Sequence, residues 1–116
     1  MQETISKEFQ AYIEKSKYEA DLKQVAEYTT YLINQYKLRP NHLQLTILGN
    51  HLSEMVDRAE QHKKLDSVDE SIFNKVSQQS LLISQKIVDF ISQKIGKLSD
   101  SEKYVLSIHF ENMLLN

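Results

Sequence analysis

Apolar residues recur at intervals of three and four positions in every segment of the chain after Ile5. This spacing puts apolar side chains on one face of an α-helix, whereas a half-buried strand would alternate them at every second position. With two glycines and one proline among 116 residues, few positions can interrupt a helix. The absence of cysteine excludes disulfides and thiolate metal sites. The sequence therefore predicts a single all-α domain, a compact bundle of about five helices with antiparallel pairs.

The same pattern, read with its interruptions, predicts where the helices begin and end. Pro40 favours a helix start and pushes Arg39 out of helical geometry, while Gly96 is a plausible helix stop. Ser99 and Glu102 have the spacing of a capping box, in which each side chain binds a free amide at a helix start. The predicted segments are Thr4–Tyr18, Ala20–Lys37, about Asn41–Gln61, Asp69–Lys97 with a bend or break at residues 77–80, and a last helix after the capping box.

The apolar stripes also predict a core and a surface for self-association. Six positions are expected to be buried: Leu48, Leu52, Val76, Ile87, Val105 and Ile108. Gly49, inside the third helix, predicts that another backbone passes close by. Four further residues, Tyr28, Tyr31, Phe110 and Leu114, suggest more apolar surface than a small bundle hides, which favours a homodimer.

The charge and hydropathy of the chain exclude several classes of function. The net charge is -2 and the isoelectric point is near 6.1, so no basic footprint for nucleic acid is expected. No apolar run approaches the roughly 20 residues that cross a bilayer, and the N-terminus does not resemble a signal peptide. We expect a cytoplasmic protein without direct contact with membranes or nucleic acid.

The four histidines differ in their sequence surroundings. His42 and His62 lie among polar residues near helix ends, where a surface position is expected. His51 and His109 each lie in an apolar helix, where a packed core histidine is the commoner outcome. A metal site is disfavoured because His51 and Glu54 supply at most two ligands. No nucleophile elbow or phosphate-binding loop is present, so neither an enzyme nor a cofactor is predicted.

Two segments together resemble the histidine motifs of a known bacterial family. The first, LTILGNHLSEMVDR, contains Asn50-His51-Leu52 followed by Arg58, seven residues after the histidine. The second, LSDSEKYVLSIHF, has Glu102 seven residues before His109. Both resemble the PTS regulation domain (PRD), an all-helical module of antiterminators and activators controlled by the sugar phosphotransferase system. Asn50 stands where the family has aspartate, so another group has to set the tautomer of His51.

The resemblance covers about Tyr18–Asn116, which implies a PRD-like regulatory domain over residues 18–116 and an N-terminal helical extension over residues 1–17. It implies phosphorylation of His51 and His109, with Asn50, Arg58 and Glu102 as supporting residues. The expected partners are phosphocarrier or sugar-permease proteins of the phosphotransferase system and a second copy of the chain. On this view the protein is a stand-alone regulatory module that controls transcription or a partner protein.

Other interpretations of these residues remain open at this level. Arg58 is either the counter-ion of a phosphorylated His51 or the exposed partner of Glu54, four residues earlier. The whole chain is alternatively a helical interaction or dimerisation module, in which the two histidines are packed and never phosphorylated. Binding of RNA by the domain itself would need a basic face that the sequence does not show.

Overall fold

Five α-helices and one short 3-10 helix form the part of the chain that the computed structural model describes, residues 4–116. Residues 1–3, the start of the predicted extension, lie outside that range. The α-helices are α1 (Lys7–Lys15), α2 (Glu19–Gln35), α3 (His42–Gln61), α4 (Gln78–Lys94) and α5 (Ser101–Leu114), and the 3-10 helix is Glu70–Phe73. The described residues contain no β-strand, so the predicted all-α class is confirmed.

The helices pack as a ring of four with one helix across it. Helix α2 contacts α3 and α4, and α5 contacts the same two helices from the other side. Helix α1 lies against α2 and α3, where its Phe9 and Ile13 enter the shared core. The core is built from Leu, Ile, Val, Phe and Met side chains of all five helices. Helix α1 thus shares its core with the other helices, while the boundary at residue 17 stays a prediction.

Side-chain caps explain why three of the helices begin where they do. Asn41 and Gln44 form a full capping box at α3, in which Asn41 Oδ1 accepts from Gln44 N at 2.9 Å and Gln44 Oε1 accepts from Asn41 N at 3.0 Å. Ser6 caps α1 and Ser77 caps α4 by accepting from the amide three residues later. The predicted break near residues 77–80 is therefore the N-terminus of α4.

The segment before α4 departs from the predicted long helix. Asp69 Oδ1 accepts from both the amide and the hydroxyl of Ser71, at 3.0 and 2.7 Å, and this local turn leads into a 3-10 helix rather than an α-helix. As a result Ile72 is 70% exposed and Val76 is only partly buried. The predicted core position of Val76 is wrong because the helical period does not hold in this segment.

The predicted capping box at the start of α5 is also wrong. Asp100 occupies the cap position without a side-chain hydrogen bond, and Ser99 Oγ donates instead to the carbonyl of Leu65 at 3.3 Å. The carboxylate of Glu102 is fully buried and binds Arg58. Glu102 therefore points toward α3 and not back to its own helix start.

The buried face of α5 lies one position away from the predicted face. Leu106, Phe110 and Met113, spaced by four and three residues, enter the core with Glu102. Val105 is only partly buried and Ile108 is 43% exposed. Of the six predicted core residues, Leu48, Leu52 and Ile87 are buried as expected.

The two glycines are positions of close approach rather than of unusual backbone geometry. A Cβ at Gly49 would lie 2.9 Å from Cδ2 of Tyr12, so the neighbour is a side chain of α1 and not the predicted backbone. A Cβ at Gly96, just after α4, would lie 2.2 Å from the backbone oxygen of Ala59 in α3. Gly96 thus follows the end of α4, as predicted, and lies directly against the backbone of α3.

Candidate functional site

The predicted site residues of α3 and α5 meet along one antiparallel contact between these helices, which we call the α3–α5 seam. Three polar pairs cross it: Gln44 with Asn116, His51 with His109, and Arg58 with Glu102. Successive members are seven residues apart on each side, which is two helical turns, so all three pairs lie on the same facing stripe. The sequence motifs contain the four residues of the second and third pairs without predicting how they pair, and the seven-residue step extends to the first pair, which has no signal in the motifs.

The middle pair is a direct contact between the two histidine rings. His51 Nδ1 lies 2.9 Å from His109 Nε2, and the rings are nearly perpendicular, with an interplanar angle of 86° and centroids 4.9 Å apart. At this distance one ring donates an N–H and the other accepts it. The tautomers of His51 and His109 are therefore coupled to each other, whereas Asn50, the residue before His51, is exposed.

Burial keeps both rings neutral. His51 is 9% exposed and His109 is partly buried. Burial, assisted by the neighbouring His109 and Arg58, lowers the pKa of His51 to about 4. Burial also lowers the pKa of His109. A neutral imidazole keeps one nitrogen lone pair, which is the form that acts as a nucleophile.

The Arg58–Glu102 pair closes the seam two turns from the histidines. Arg58 Nε and Nη2 each lie 2.8 Å from a different oxygen of Glu102, a bidentate geometry, and the side chain of Glu102 has no exposed surface. The hydrogen bonds that Arg58 donates to Glu102 raise the pKa of Arg58. The predicted exposed pair of Arg58 with Glu54 is thus wrong, since the guanidinium turns inward to the buried carboxylate.

Exposed apolar side chains lie beside the histidine pair. Leu43 and Ile47 lie on the two turns of α3 before His51, on the same side of the helix, and they are 64% and 45% exposed. Ile108 is the residue before His109. Leu115 lies seven residues after Ile108 and is 79% exposed. We call Leu43, Ile47, Ile108 and Leu115 the seam-edge apolar face. Of the predicted association surface, Phe110 is fully buried, Tyr28 and Leu114 are partly buried and Tyr31 is 44% exposed, and self-association stays a prediction.

The other two histidines lie away from the seam. His42 is exposed at the start of α3, where its Nδ1 contacts Glu8 Oε2 at 2.6 Å. His62 is exposed and ends α3 in the left-handed conformation. Both are surface residues, as the sequence predicts. Among residues 4–116, no cluster of three or more histidine, aspartate or glutamate side chains has the geometry to hold a metal ion.

The sequence motifs do not predict the contact between Glu111, on α5, and the start of α4. Glu111 Oε1 accepts hydrogen bonds from the amide of Ser77 and from the hydroxyls of Ser77 and Ser80, at 3.0, 2.8 and 2.7 Å. These bonds lower the pKa of Glu111. This residue joins the start of α4 to the end of α5 and helps to hold α5 in place for the seam.

Comparison with known proteins shows which family has this arrangement, an antiparallel helical bundle with two histidines facing each other across one seam. A family model of the PRD domain matches residues 30–113, and the chain belongs to the PRD family. Its structure is similar to a crystal structure of a PRD-containing transcription regulator from Lactobacillus casei ATCC 334. The two are 36% identical, the match covers 97% of this chain and 96% of the other, and the TM-score is 0.86. No curated protein sequence matches the chain.

These matches confirm the predicted resemblance to the PRD family and support a regulatory role under the phosphotransferase system. Within residues 4–116, no helix has both the length and the apolar character that crossing a bilayer requires. The assignment of His51 and His109 as phosphorylation sites, with Asn50, Arg58 and Glu102 in support, stays a prediction.

Proposed function

We propose that the protein is a phosphorylation-responsive regulatory module of the sugar phosphotransferase system, in which a phosphoryl group at the His51–His109 pair changes how α3 and α5 present their outer surface. The observation that carries the proposal is the 2.9 Å contact between the two rings, beside an exposed apolar face. The expected phosphoryl donors are phosphocarrier or sugar-permease proteins, and the expected binding partner is a second copy of the chain.

Phosphorylation would change the charge at this partly buried histidine pair by a large amount. A phosphoryl group adds roughly -1.5 to -2 charge at neutral pH. His51 is nearly buried, and an unpaired charge in such surroundings has to find donors or move to water. Phosphorylation therefore favours a different packing of the seam or of the surface beside it.

Arg58 is a costly counter-ion for that phosphoryl group. Both of its donating atoms at the pair are engaged with Glu102, whose carboxylate is fully buried. Moving Arg58 away would leave a buried charge unpaired, at a cost of about 3–5 kcal/mol. A new charge-assisted hydrogen bond returns about 1.5–3 kcal/mol. Recruitment of Arg58 thus costs more free energy than it returns.

The test is phosphoryl transfer to the purified protein. We expect the general phosphotransferase proteins with phosphoenolpyruvate to place acid-labile phosphate on the chain, and the label to fall strongly when the seam histidines are removed in the double variant His51→Ala/His109→Ala. The matched control is His42→Ala/His62→Ala, which removes the two exposed histidines and should keep the label. Equal labelling of both double variants, or no labelling of the wild type by these donors, would favour the alternative module with packed, unmodified histidines.

A further inference from the structure

The contact between the rings occupies one nitrogen of each histidine. His51 Nδ1 and His109 Nε2 are 2.9 Å apart, the length of a hydrogen bond. A phosphorus atom bonded to either of these nitrogens would need the space that the other ring fills. Two nitrogens lie outside this contact, His51 Nε2 and His109 Nδ1, and the tautomer of the pair decides which of them carries a lone pair.

The two remaining nitrogens differ in access. His51 Nε2 is buried and has no hydrogen-bond partner among the described residues. His109 Nδ1 makes no hydrogen bond with residues 4–116, yet it is not among the buried side-chain atoms left without a partner, so it keeps contact with solvent. His109 as a whole is partly exposed. A donor protein approaching from outside therefore meets Nδ1 of His109 first.

We propose that His109 Nδ1 is the phosphoryl acceptor, that His51 is a positioning residue which holds the reactive tautomer of His109, and that the seam carries one phosphoryl group per chain. This inference rests on the proposed function and specifies the atom at which it operates. In the proposed tautomer, His51 Nδ1 accepts the N–H of His109 Nε2, which leaves the lone pair of His109 on Nδ1.

Phosphoryl transfer to His109 forms one bond to phosphorus and breaks one. The Nδ1 lone pair of His109 forms a bond to phosphorus as the bond between phosphorus and the donor's nitrogen breaks, and that nitrogen keeps the electron pair. The phosphorylated ring carries an extra positive charge, which the hydrogen bond from Nε2–H to His51 Nδ1 stabilises. The donor nitrogen takes its proton from solvent.

A second phosphoryl group has neither space nor a free cation. The ring centroids are 4.9 Å apart. Two phosphoryl groups, each with more than one negative charge, would therefore repel each other strongly in these partly buried surroundings. The nearest cation on this face of α3, Arg58, is held by Glu102 through two hydrogen bonds. Modification of one histidine therefore excludes modification of the other.

The experiment uses the full chain and two phosphoryl donors: the general phosphotransferase proteins with phosphoenolpyruvate, and the small molecule phosphoramidate. Intact mass gives the number of phosphoryl groups per chain, and phosphorus NMR under alkaline conditions distinguishes Nδ1 from Nε2 phosphohistidine. Both donors are used on the variant His42→Ala/His62→Ala, because phosphoramidate would also label these two exposed histidines, and we expect one phosphoryl group from each donor, on Nδ1 of His109. Two groups per chain, or a label on His51 or on Nε2 of His109, would overturn the inference.

Two variants at position 51 separate positioning from packing. His51→Asn keeps a hydrogen-bonding atom where Nδ1 lies, whereas His51→Leu is apolar and of similar size. We expect His51→Leu to slow labelling of His109 by at least about fivefold, the worth of one hydrogen bond, and to give a mixture of the two phosphohistidines. We expect His51→Asn to restore both the rate and the Nδ1 product. Equal rates and products in the two variants would show that His51 does not position His109.

The two donors keep this inference distinct from the proposed function. If phosphoramidate labels Nδ1 of His109 and the phosphotransferase proteins label neither histidine, the proposed function fails while the assignment of the reactive nitrogen stands. If the phosphotransferase proteins label His51, the proposed function stands and the assignment fails.

Discussion

Two polar pairs on the α3–α5 seam have opposite electrostatic character. Arg58 and Glu102 form a charged, bidentate pair with a fully buried carboxylate, while His51 and His109 form a pair whose pKa values are lowered and which is neutral near pH 7. The charged pair fixes the register of the two helices, and the neutral pair can gain charge by modification. A structural residue and a responsive residue therefore lie two turns apart on one helix.

Removal of Arg58 tests the first of these roles. We expect Arg58→Ala to lower the free energy of unfolding by about 3–5 kcal/mol, because Glu102 would be left buried without its partner. The double variant Arg58→Met/Glu102→Leu should recover most of that loss. Urea denaturation gives both values, and Arg39→Ala, at the chain's other and exposed arginine, is the control. A loss of less than 1 kcal/mol for Arg58→Ala would contradict the structural role.

The histidine pair should also make stability depend on pH. The pKa of His51 is lowered to about 4 in the folded protein, while the unfolded chain has the ordinary value of 6.5, so the unfolded state binds more protons between these two values. Stability is therefore fully present above pH 6.5 and is lost as pH falls toward 4. We expect a loss of about 2–3 kcal/mol over this range.

The measurement is urea denaturation at a series of pH values, with His51→Leu beside the wild type. The variant should have a flatter profile between pH 6.5 and 4.5, where Glu8, Asp69 and Glu111 contribute little because their lowered pKa values affect stability only at lower pH. Identical slopes for the two proteins in this range would show that His51 does not titrate as described.

At the level of elements, the helix pattern predicted most of the fold but not the rotation of α5. Apolar periodicity gave the α2, α3 and α4 segments and their core residues Leu48, Leu52 and Ile87, since side chains at steps of three and four share a face whatever the partner is. It misplaced Ile108 because α5 is apolar on several sides, and long-range partners choose its buried side. The pairing of Glu102 with Arg58 is such a partner, and the local capping pattern competed with it.

The same limit applies to the site. The resemblance of the two histidine motifs to the PRD family predicted His51, His109, Arg58 and Glu102 as a group, and the seven-residue spacing places the two members of each motif on one helical face. The sequence could not show that the two rings touch, since this depends on the antiparallel register of α3 and α5. Nor could it reveal Glu111 as the acceptor for Ser77 and Ser80, which lie more than 30 residues away in the chain.

The close approaches of the two glycines give an element-scale prediction. Gly96→Ala should destabilise the fold more than Gly49→Ala, because its Cβ would meet the backbone of Ala59, which cannot move without shifting α3. At Gly49 the obstacle is the side chain of Tyr12, and the gain in helix propensity offsets up to about 1 kcal/mol. Thermal unfolding of both variants checks the order. A smaller loss for Gly96→Ala than for Gly49→Ala would contradict the packing of α4 on α3.

At the scale of the whole molecule, the seam-edge apolar face is the surface that we propose for self-association. Its residues Leu43, Ile47, Ile108 and Leu115 are each more than two-fifths exposed, and they lie beside the pair that we propose gains charge. A stable dimer buries about 1,000 Å² or more in total. An isologous contact through this face would place the histidine pairs of both copies near one interface, so that a phosphoryl group on either copy affects the contact.

Charge substitutions on this face test the predicted homodimer. We expect Ile47→Lys and Ile108→Glu to weaken self-association at least about tenfold, since each places a charge in an apolar contact. The control is Ile72→Lys, which changes an isoleucine that is 70% exposed but lies on the 3-10 helix, away from the seam. Sedimentation equilibrium at tens of micromolar measures the dissociation constants. A wild type that is monomeric throughout, or equal weakening by Ile72→Lys, would exclude this face as the interface.

The most direct test of the account is the dissociation constant of the dimer before and after phosphorylation of the same preparation. A complete switch from 1:99 to 99:1 would need about 5.5 kcal/mol, and one phosphoryl group near the interface should supply a part of it. We expect the constant to change at least about tenfold on phosphorylation by the phosphotransferase proteins, and to stay unchanged when His109→Ala is treated identically. An unchanged constant for fully phosphorylated wild type would contradict the proposal that the histidine pair controls association.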